Sequence, residues 1–110
     1  MKVDKYTQLR SALINASLYA SDFKDEDDGG TCNFDTVVIN LPRWQYAKLK
    51  EMVSTIPGLR ISKHYYGWSG HFMIHGFEHG QANRRTAMVE AFSKRLCELG
   101  YDSSVYYAMD

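Results

Sequence analysis

Histidines are the first residues to consider as a site, because three of the four fall on two neighbouring predicted strands. His64 lies on one strand, His71 and His75 lie on the next, and His79 follows in a loop. Neutral imidazole is the commonest ligand of transition metals, and the histidines would converge if residue 64 lies opposite residue 71. Residues four apart on a strand are about 13 Å apart, however, too far for His71 and His75 to hold one ion. We therefore expect no metal centre and no bound cofactor.

The thiol of Cys32 is a second candidate, because it follows the glycine pair Gly29-Gly30. A cysteine after such a turn could act as a nucleophile if a histidine activated it. Its surroundings match no catalytic signature, the glycines lack the lysine of a phosphate-binding loop, and cysteine is often a small buried hydrophobe. We expect a structural turn and no catalytic residue. An enzyme built on Cys32 or the histidines is the less favoured alternative.

Two charged segments could contact a partner. Arg84 and Arg85 fall in the first turn of the last predicted helix, where the helix dipole adds to their positive charge. They could hold a phosphate or a partner's carboxylates, or they could extend into water. The acidic run could imitate a nucleic-acid backbone toward a basic groove, or it could be a solvated loop. That run consists of Asp22, Asp25, Glu26, Asp27 and Asp28.

Aromatic residues near the predicted hairpin form a further candidate surface. Arg43 and Trp44 follow the first predicted strand, and Tyr65 and Trp68 belong to the hairpin. In our assignment Trp44 lies beside the apolar stripe of its helix rather than within it. Exposed tryptophan and arginine are typical of a protein-binding hot spot. Partial packing of Trp44 in the core is the alternative.

The helices and strands that must position these residues follow from the hydrophobic pattern. Apolar residues at spacings of three and four predict three helices, namely residues 5–24, a helix that starts at Pro42 and is stopped by Pro57-Gly58, and residues 82–99, capped by Gly100. Alternating apolar residues predict four strands, namely residues 32–41, 59–66 and 71–77, and a last strand with Val105, Tyr107 and Met109. From the last helix we expect four residues to face the core, namely Met88, Phe92, Leu96 and Leu99.

The order strand, helix, hairpin, helix, strand is the split βαβ arrangement. The sequence therefore predicts an α+β, ferredoxin-like βαββαβ domain with a four-stranded antiparallel sheet and an extra N-terminal helix. Right-handed crossovers would place both later helices on one face and the first and third strands in the centre. We expect a single domain over residues 1–110, with an N-terminal helix (5–24), an acidic, glycine-bearing linker (25–31) and the βαββαβ core (32–110).

The second face of the sheet is a possible ligand surface. If Phe72 and Ile74 point to the helices, their neighbours on the strand point the other way. The residues expected on this second face are Phe34, Val38, Arg60, Ser62, His64, Tyr66, His71, Met73, His75 and Tyr106. Aromatic and basic groups on such a face stack bases in RNA-recognition domains. The favoured alternative is that the N-terminal helix covers this face as a second small core.

Composition limits the class of protein. The chain has 110 residues, 45% of them hydrophobic, and no formal net charge, which indicates one globular domain rather than a protein that coats nucleic acid. Acidic residues predominate in residues 1–35 and basic ones in residues 36–110. The start lacks an apolar signal core, no run approaches the roughly 20 apolar residues of a membrane span, and Cys32 and Cys97 form no Cys-x-x-Cys motif. We expect a soluble, cytoplasmic monomer or homodimer without membrane contact.

Several sequence blocks are distinctive as a set, namely Asp28-Gly29-Gly30-Thr31-Cys32-Asn33-Phe34-Asp35, Leu41-Pro42-Arg43-Trp44, Arg84-Arg85-Thr86-Ala87, Gly100-Tyr101-Asp102, Val105-Tyr106-Tyr107 and Met109-Asp110. Together these blocks resemble a family of small uncharacterised proteins encoded on phages and mobile elements of gut Firmicutes. The resemblance covers roughly residues 26–110 and implies a setting, but no activity, substrate or cofactor. Small proteins of mobile elements often bind a host factor and block it, as anti-CRISPR proteins do.

The sequence thus predicts a non-enzymatic binding protein that occludes a host protein such as a CRISPR effector. The expected contacts are the acidic residues 25–28, Arg43, Trp44, Trp68, Arg84 and Arg85. The alternative is binding of single-stranded RNA or a phosphorylated ligand. That ligand would use the sheet face with His64, Tyr66, His71 and His75, or the Arg84-Arg85 helix N-terminus.

Overall fold

The computed structural model describes residues 4–22, 36–64, 67–76 and 82–106, with only the backbone described for residues 82–86. Within these ranges the chain forms three helices and four strands, namely α1 (Lys5–Ser21), β1 (Thr36–Asn40), α2 (Tyr46–Val53), β2 (Arg60–Lys63), β3 (His71–His75), α3 (Ala82–Glu98) and β4 (Asp102–Tyr106). The predicted order of elements is confirmed. None of the described helices has the length and apolar character that crossing a bilayer requires.

The four strands form one antiparallel sheet in the order β2-β3-β1-β4. The first and third strands are central, as predicted. Val37 of β1 pairs with Ile74 of β3, and Ile39 pairs with Phe72. The fold is therefore α+β, with a four-stranded antiparallel sheet and three helices.

Local chemistry accounts for the start of α1 and the end of α3. α1 begins at Asp4, whose carboxylate accepts a hydrogen bond from the Tyr6 backbone N–H at 2.6 Å. α3 is followed by Gly100 with φ +96°, the left-handed cap predicted there. The predicted start of the second helix at Pro42 is wrong. Pro42 and Arg43 form a turn, Arg43 has φ +69°, and the helix begins only at Tyr46.

All three helices contribute to one hydrophobic core against one face of the sheet. Phe72 and Ile74 are buried in this core, as predicted, together with Val37 and Ile39 of the neighbouring strand. From α3 the buried residues of the core are Val89, Ala91, Phe92 and Leu96. Leu99 was expected to face inward, but it is exposed because the chain has left the helix at Glu98.

The expectation that α1 covers the second face of the sheet is wrong. α1 packs against α3 and α2, and its backbone approaches none of the described strands. Small residues allow this close packing, since Ala12, Ala16 and Ala20 are buried along the helix. The Arg95 guanidinium adds a hydrogen bond to the Asn15 side chain at 2.8 Å. The apolar stripe therefore completes the helix layer instead of forming a second core.

Among the described residues, the strand register places Val38, Arg60, Ser62, Met73 and His75 on the second face, as predicted. Arg60 pairs with His75 and Ser62 pairs with Met73 across the β2–β3 hairpin, so these residues share one face. The helices that approach the strands are α2 and α3, and their buried residues share one core with Val37, Ile39, Phe72 and Ile74 of the opposite face. Nevertheless Met73 is completely buried and Val38 is only 6% exposed. Phe34, Tyr66, Tyr107 and Met109 lie outside the described residues.

Candidate functional site

Two loops meet at one end of the sheet, and a glycine lets them approach. The Leu41 N–H, just after β1, donates a hydrogen bond to the Gly70 carbonyl in the β2–β3 loop at 2.7 Å. Gly70 has φ +78°, and a Cβ at this position would lie 3.0 Å from the Pro42 Cα. Only glycine combines this backbone conformation with so close a contact. The loop that carries Trp44 is thereby joined to the loop that carries Trp68.

The two tryptophans line a single depression of about 350 Å³ between these loops and the start of α2. We call it the aromatic pocket; its lining residues are Trp44, Tyr46, Lys63, Gly67, Trp68, Ser69, Gly70, His71 and Phe72. The residues that the sequence suggested as a hot spot, Trp44 and Trp68, are thus brought together. Tyr65 lies outside the described residues.

The rings of the aromatic pocket are held by one another and by the core. Tyr46 and Phe72 are stacked with centroids 6.0 Å apart, and the Tyr46 hydroxyl donates to the Ile61 carbonyl at 3.4 Å. Trp44 is half-buried and meets Tyr6 edge-to-face at 5.0 Å. Partial core packing of Trp44 is therefore correct, and the residue also lines the pocket. Because neighbouring rings hold one another, the pocket is largely pre-formed.

Trp68 is the most exposed of these rings, at 55%, and histidines support it. His64 is buried and stacks on the Trp68 indole with centroids 4.3 Å apart. His71 meets the same indole edge-on at 5.7 Å, and its Nδ1–H donates to the Ser69 carbonyl at 3.0 Å. The His64 N–H donates to the His71 carbonyl, so the register that brings residue 64 opposite residue 71 is confirmed.

Cationic side chains lie over the rings. The ammonium of Lys63 is 5.5 Å from the Tyr46 ring centroid, and that of Lys5 is 4.7 Å from the Trp44 centroid. Such distances are within the range of cation–π attraction. Among the described side chains, no carboxylate forms an ion pair with either lysine, and the ion pair between Arg95 and Glu98 lies on α3.

Two neighbours extend this cationic border. The Lys48 ammonium is 5.7 Å from the Tyr6 ring, and Arg43 is exposed beside Trp44. Asp4 is nearby, but its carboxylate accepts the Tyr6 N–H at the start of α1. The described charges that border the aromatic pocket are therefore mostly positive.

The remaining histidine of the described sheet has a separate environment. His75 is hydrogen-bonded to the Ser62 hydroxyl at 2.7 Å, on the second face of the sheet. Within the part of the chain that the structure describes, no three histidine, cysteine or carboxylate side chains gather as metal ligands would. The burial of Val38 and Met73 leaves the centre of this face with little exposed surface for stacking a base.

Several predicted contacts lie outside the described side chains. Arg84 and Arg85 fall in the first turn of α3, as predicted, and only their backbone is described. The other predicted candidates that lie outside the described residues are Asp25, Glu26, Asp27, Asp28, Cys32, Tyr66 and His79.

Sequence reasoning missed part of the aromatic pocket. Phe72 was expected to point to the helices, Tyr46 was not singled out as a site residue, and Lys5 and Lys63 carry no motif. One feature of the sequence could have suggested the pocket. Tyr46 comes just after the loop that carries Trp44, and Lys63 comes just before the loop that carries Trp68.

Comparison of the chain with models of protein families, with curated proteins and with solved structures found no match.

Proposed function

We propose that this chain is a non-enzymatic protein-binding domain and that its partner docks on the aromatic pocket. One observation carries the proposal: Trp44 and Trp68, from separate loops, line the same pre-formed depression. Tryptophan is among the residues most enriched in binding hot spots, and hot spots lie in well-packed pockets surrounded by polar groups. Pre-formed rings also lower the conformational entropy lost on binding.

We infer that the fold is ferredoxin-like, with α1 added to the helix layer. The strand order β2-β3-β1-β4, with α2 and α3 on one face, supports this inference.

On the sequence resemblance alone, we propose that the partner is a host protein that this chain occludes, in the manner of an inhibitor from a mobile element. Binding of single-stranded RNA across the sheet face is the weaker proposal, because Val38 and Met73 are buried there.

Selection of peptides from a random displayed library tests protein binding without a known partner. Peptides are selected on the wild-type chain and then measured against Trp68→Ala, which removes the exposed ring of the aromatic pocket. We expect Trp68→Ala to weaken binding by about 2 kcal/mol, or roughly 30-fold in Kd.

Leu18→Ala is the matched control. Leu18 is a large exposed apolar residue, 68% accessible, and it lies about 18 Å along α1 from Tyr6. Binding to Leu18→Ala should equal binding to the wild type. Peptides that bind Trp68→Ala as well as they bind the wild type would refute the proposed docking site.

A further inference from the structure

We propose that the aromatic pocket binds an acidic peptide segment of the partner, with one apolar side chain inserted among the rings and carboxylates contacting Lys63 and Lys5. This inference rests on the proposed function, because it names the chemistry of the partner at that same pocket. The alternative acidic polymer, single-stranded RNA, is an outcome of the test described below.

Lysines that form no ion pair with any described carboxylate select an acidic partner. Lys63 and Lys5 lie over the Tyr46 and Trp44 rings without a carboxylate partner among the described residues, and Arg43 is exposed beside them. Lysine stems that pack on rings keep their charged heads in solvent, where a carboxylate can reach them. Complementary charge of this kind speeds association and disfavours neutral or basic partners.

The size of the aromatic pocket selects a short apolar anchor. A volume of about 350 Å³ is at the small end of the range for ligand pockets, about 300–1,000 Å³. The walls combine the rings of Phe72, Trp44 and Tyr46 with polar groups of Lys63 and His71. A pocket of this size and character admits one or two side chains of an extended segment rather than a folded element.

The arrangement of the rings favours a peptide over RNA. Base recognition on single strands needs a ring face on which a base can stack. The Tyr46 ring is stacked with Phe72 and has Lys63 over it, and the Trp44 ring has Lys5 over it. Side-chain insertion between the rings, with ion pairs at the border, uses the groups that this arrangement leaves available.

The test uses the full chain and three fluorescent probes. The first is a pool of short peptides with a central leucine, phenylalanine or tryptophan flanked by aspartate and glutamate. The second has asparagine and glutamine in place of the acidic residues, and the third is a single-stranded oligouridylate. We expect the acidic pool to bind more tightly than the neutral pool, and to bind more weakly as salt is added.

Lysine variants locate the charge effect. Lys63→Gln and Lys5→Gln should each weaken the acidic pool by about two- to fivefold and weaken the neutral pool less. Lys94→Gln is the matched control, because Lys94 is an exposed lysine on α3 that does not line the aromatic pocket. Circular dichroism of each variant checks that the fold is retained, which is expected because all three lysines are exposed.

The outcomes separate this inference from the proposed function. If both peptide pools bind equally and Trp68→Ala weakens both, the pocket binds peptides and the acidic preference is overturned. If only the neutral pool binds and depends on Trp68, the acidic preference alone is overturned. If neither pool binds, or both bind Trp68→Ala unchanged, the inference fails and the docking site fails with it. If oligouridylate binds more tightly than the acidic pool and depends on Trp68, the partner is a nucleic acid and the peptide assignment is overturned.

Discussion

Replacing Gly70 by alanine should separate the two loops that form the aromatic pocket. An alanine at φ +78° loses about 1–2 kcal/mol from its left-handed backbone, partly offset by about 0.4–1 kcal/mol from a less flexible unfolded chain. Its Cβ would also lie 3.0 Å from the Pro42 Cα. Because that neighbour is backbone, it cannot rotate away, and overpacking of this kind typically costs about 1–3 kcal/mol more.

Gly67 provides a matched control in the same loop. It has φ +68°, close to that of Gly70, but a Cβ there would meet no atom within 4 Å. Gly67→Ala should therefore lose about 0.5–1.5 kcal/mol of unfolding free energy, from the backbone term alone. Gly70→Ala should lose about 1–3 kcal/mol more than Gly67→Ala.

Urea unfolding followed by far-ultraviolet circular dichroism measures both variants without relying on tryptophan emission. A second readout is near-ultraviolet dichroism of the folded state, which should change more in Gly70→Ala because Trp44 and Trp68 move apart. Equal losses of free energy in the two variants would refute the argument, since the close contact between Gly70 and Pro42 would then have no energetic consequence.

Three further predictions concern single residues. Arg43→Gly should raise the free energy of unfolding by about 0.5–1 kcal/mol, because glycine adopts the left-handed backbone at φ +69° without strain. A lower free energy of unfolding in urea would contradict this stability prediction. Peptide binding to Arg43→Gly should nevertheless weaken, because a positive charge beside the aromatic pocket is lost. Asp4→Ala should lower the unfolding free energy by about 1 kcal/mol through loss of the α1 cap, whereas Asp4→Asn should retain most of it. Burial raises the pKa of the Tyr101 phenol, so its folded form resists ionisation. The stability of the wild type should fall as pH rises above 10.0, the unfolded value, and Tyr101→Phe should show a smaller fall in alkaline urea titrations.

The hydrophobic pattern predicted the elements and the side-chain direction along the sheet. Strand alternation placed Phe72 and Ile74 toward the helices, and the paired register of the strands confirms it. The position of α1 could not be predicted in the same way. Its apolar stripe shows that one side must be buried, but it does not show which surface buries it. The choice between the sheet and the groove beside α2 and α3 depends on three-dimensional fit.

The aromatic pocket was only partly predictable for a related reason. Tyr46 and Phe72 have the spacing of core residues, and both do contact the core. What the sequence does not show is that the turn at Pro42 and Arg43 delays α2, so that Trp44 leaves the helix and faces the hairpin loop. The left-handed backbone of Arg43 is unusual for a residue other than glycine, so no propensity argument predicts it.

The fixed rings and the flexible lysines of this surface should contribute to binding in different ways. Tyr46, Trp44 and Phe72 are fixed by the Ile61 carbonyl, the Tyr6 ring and the core, so little side-chain entropy is lost when an anchor enters. The lysines have flexible side chains at the border of the pocket, and salt screens their charges. Loss of a ring should therefore act mainly on the dissociation rate, and loss of a lysine mainly on the association rate. Because the two effects are measured separately in one kinetic experiment, the pocket and its charged border can be tested independently.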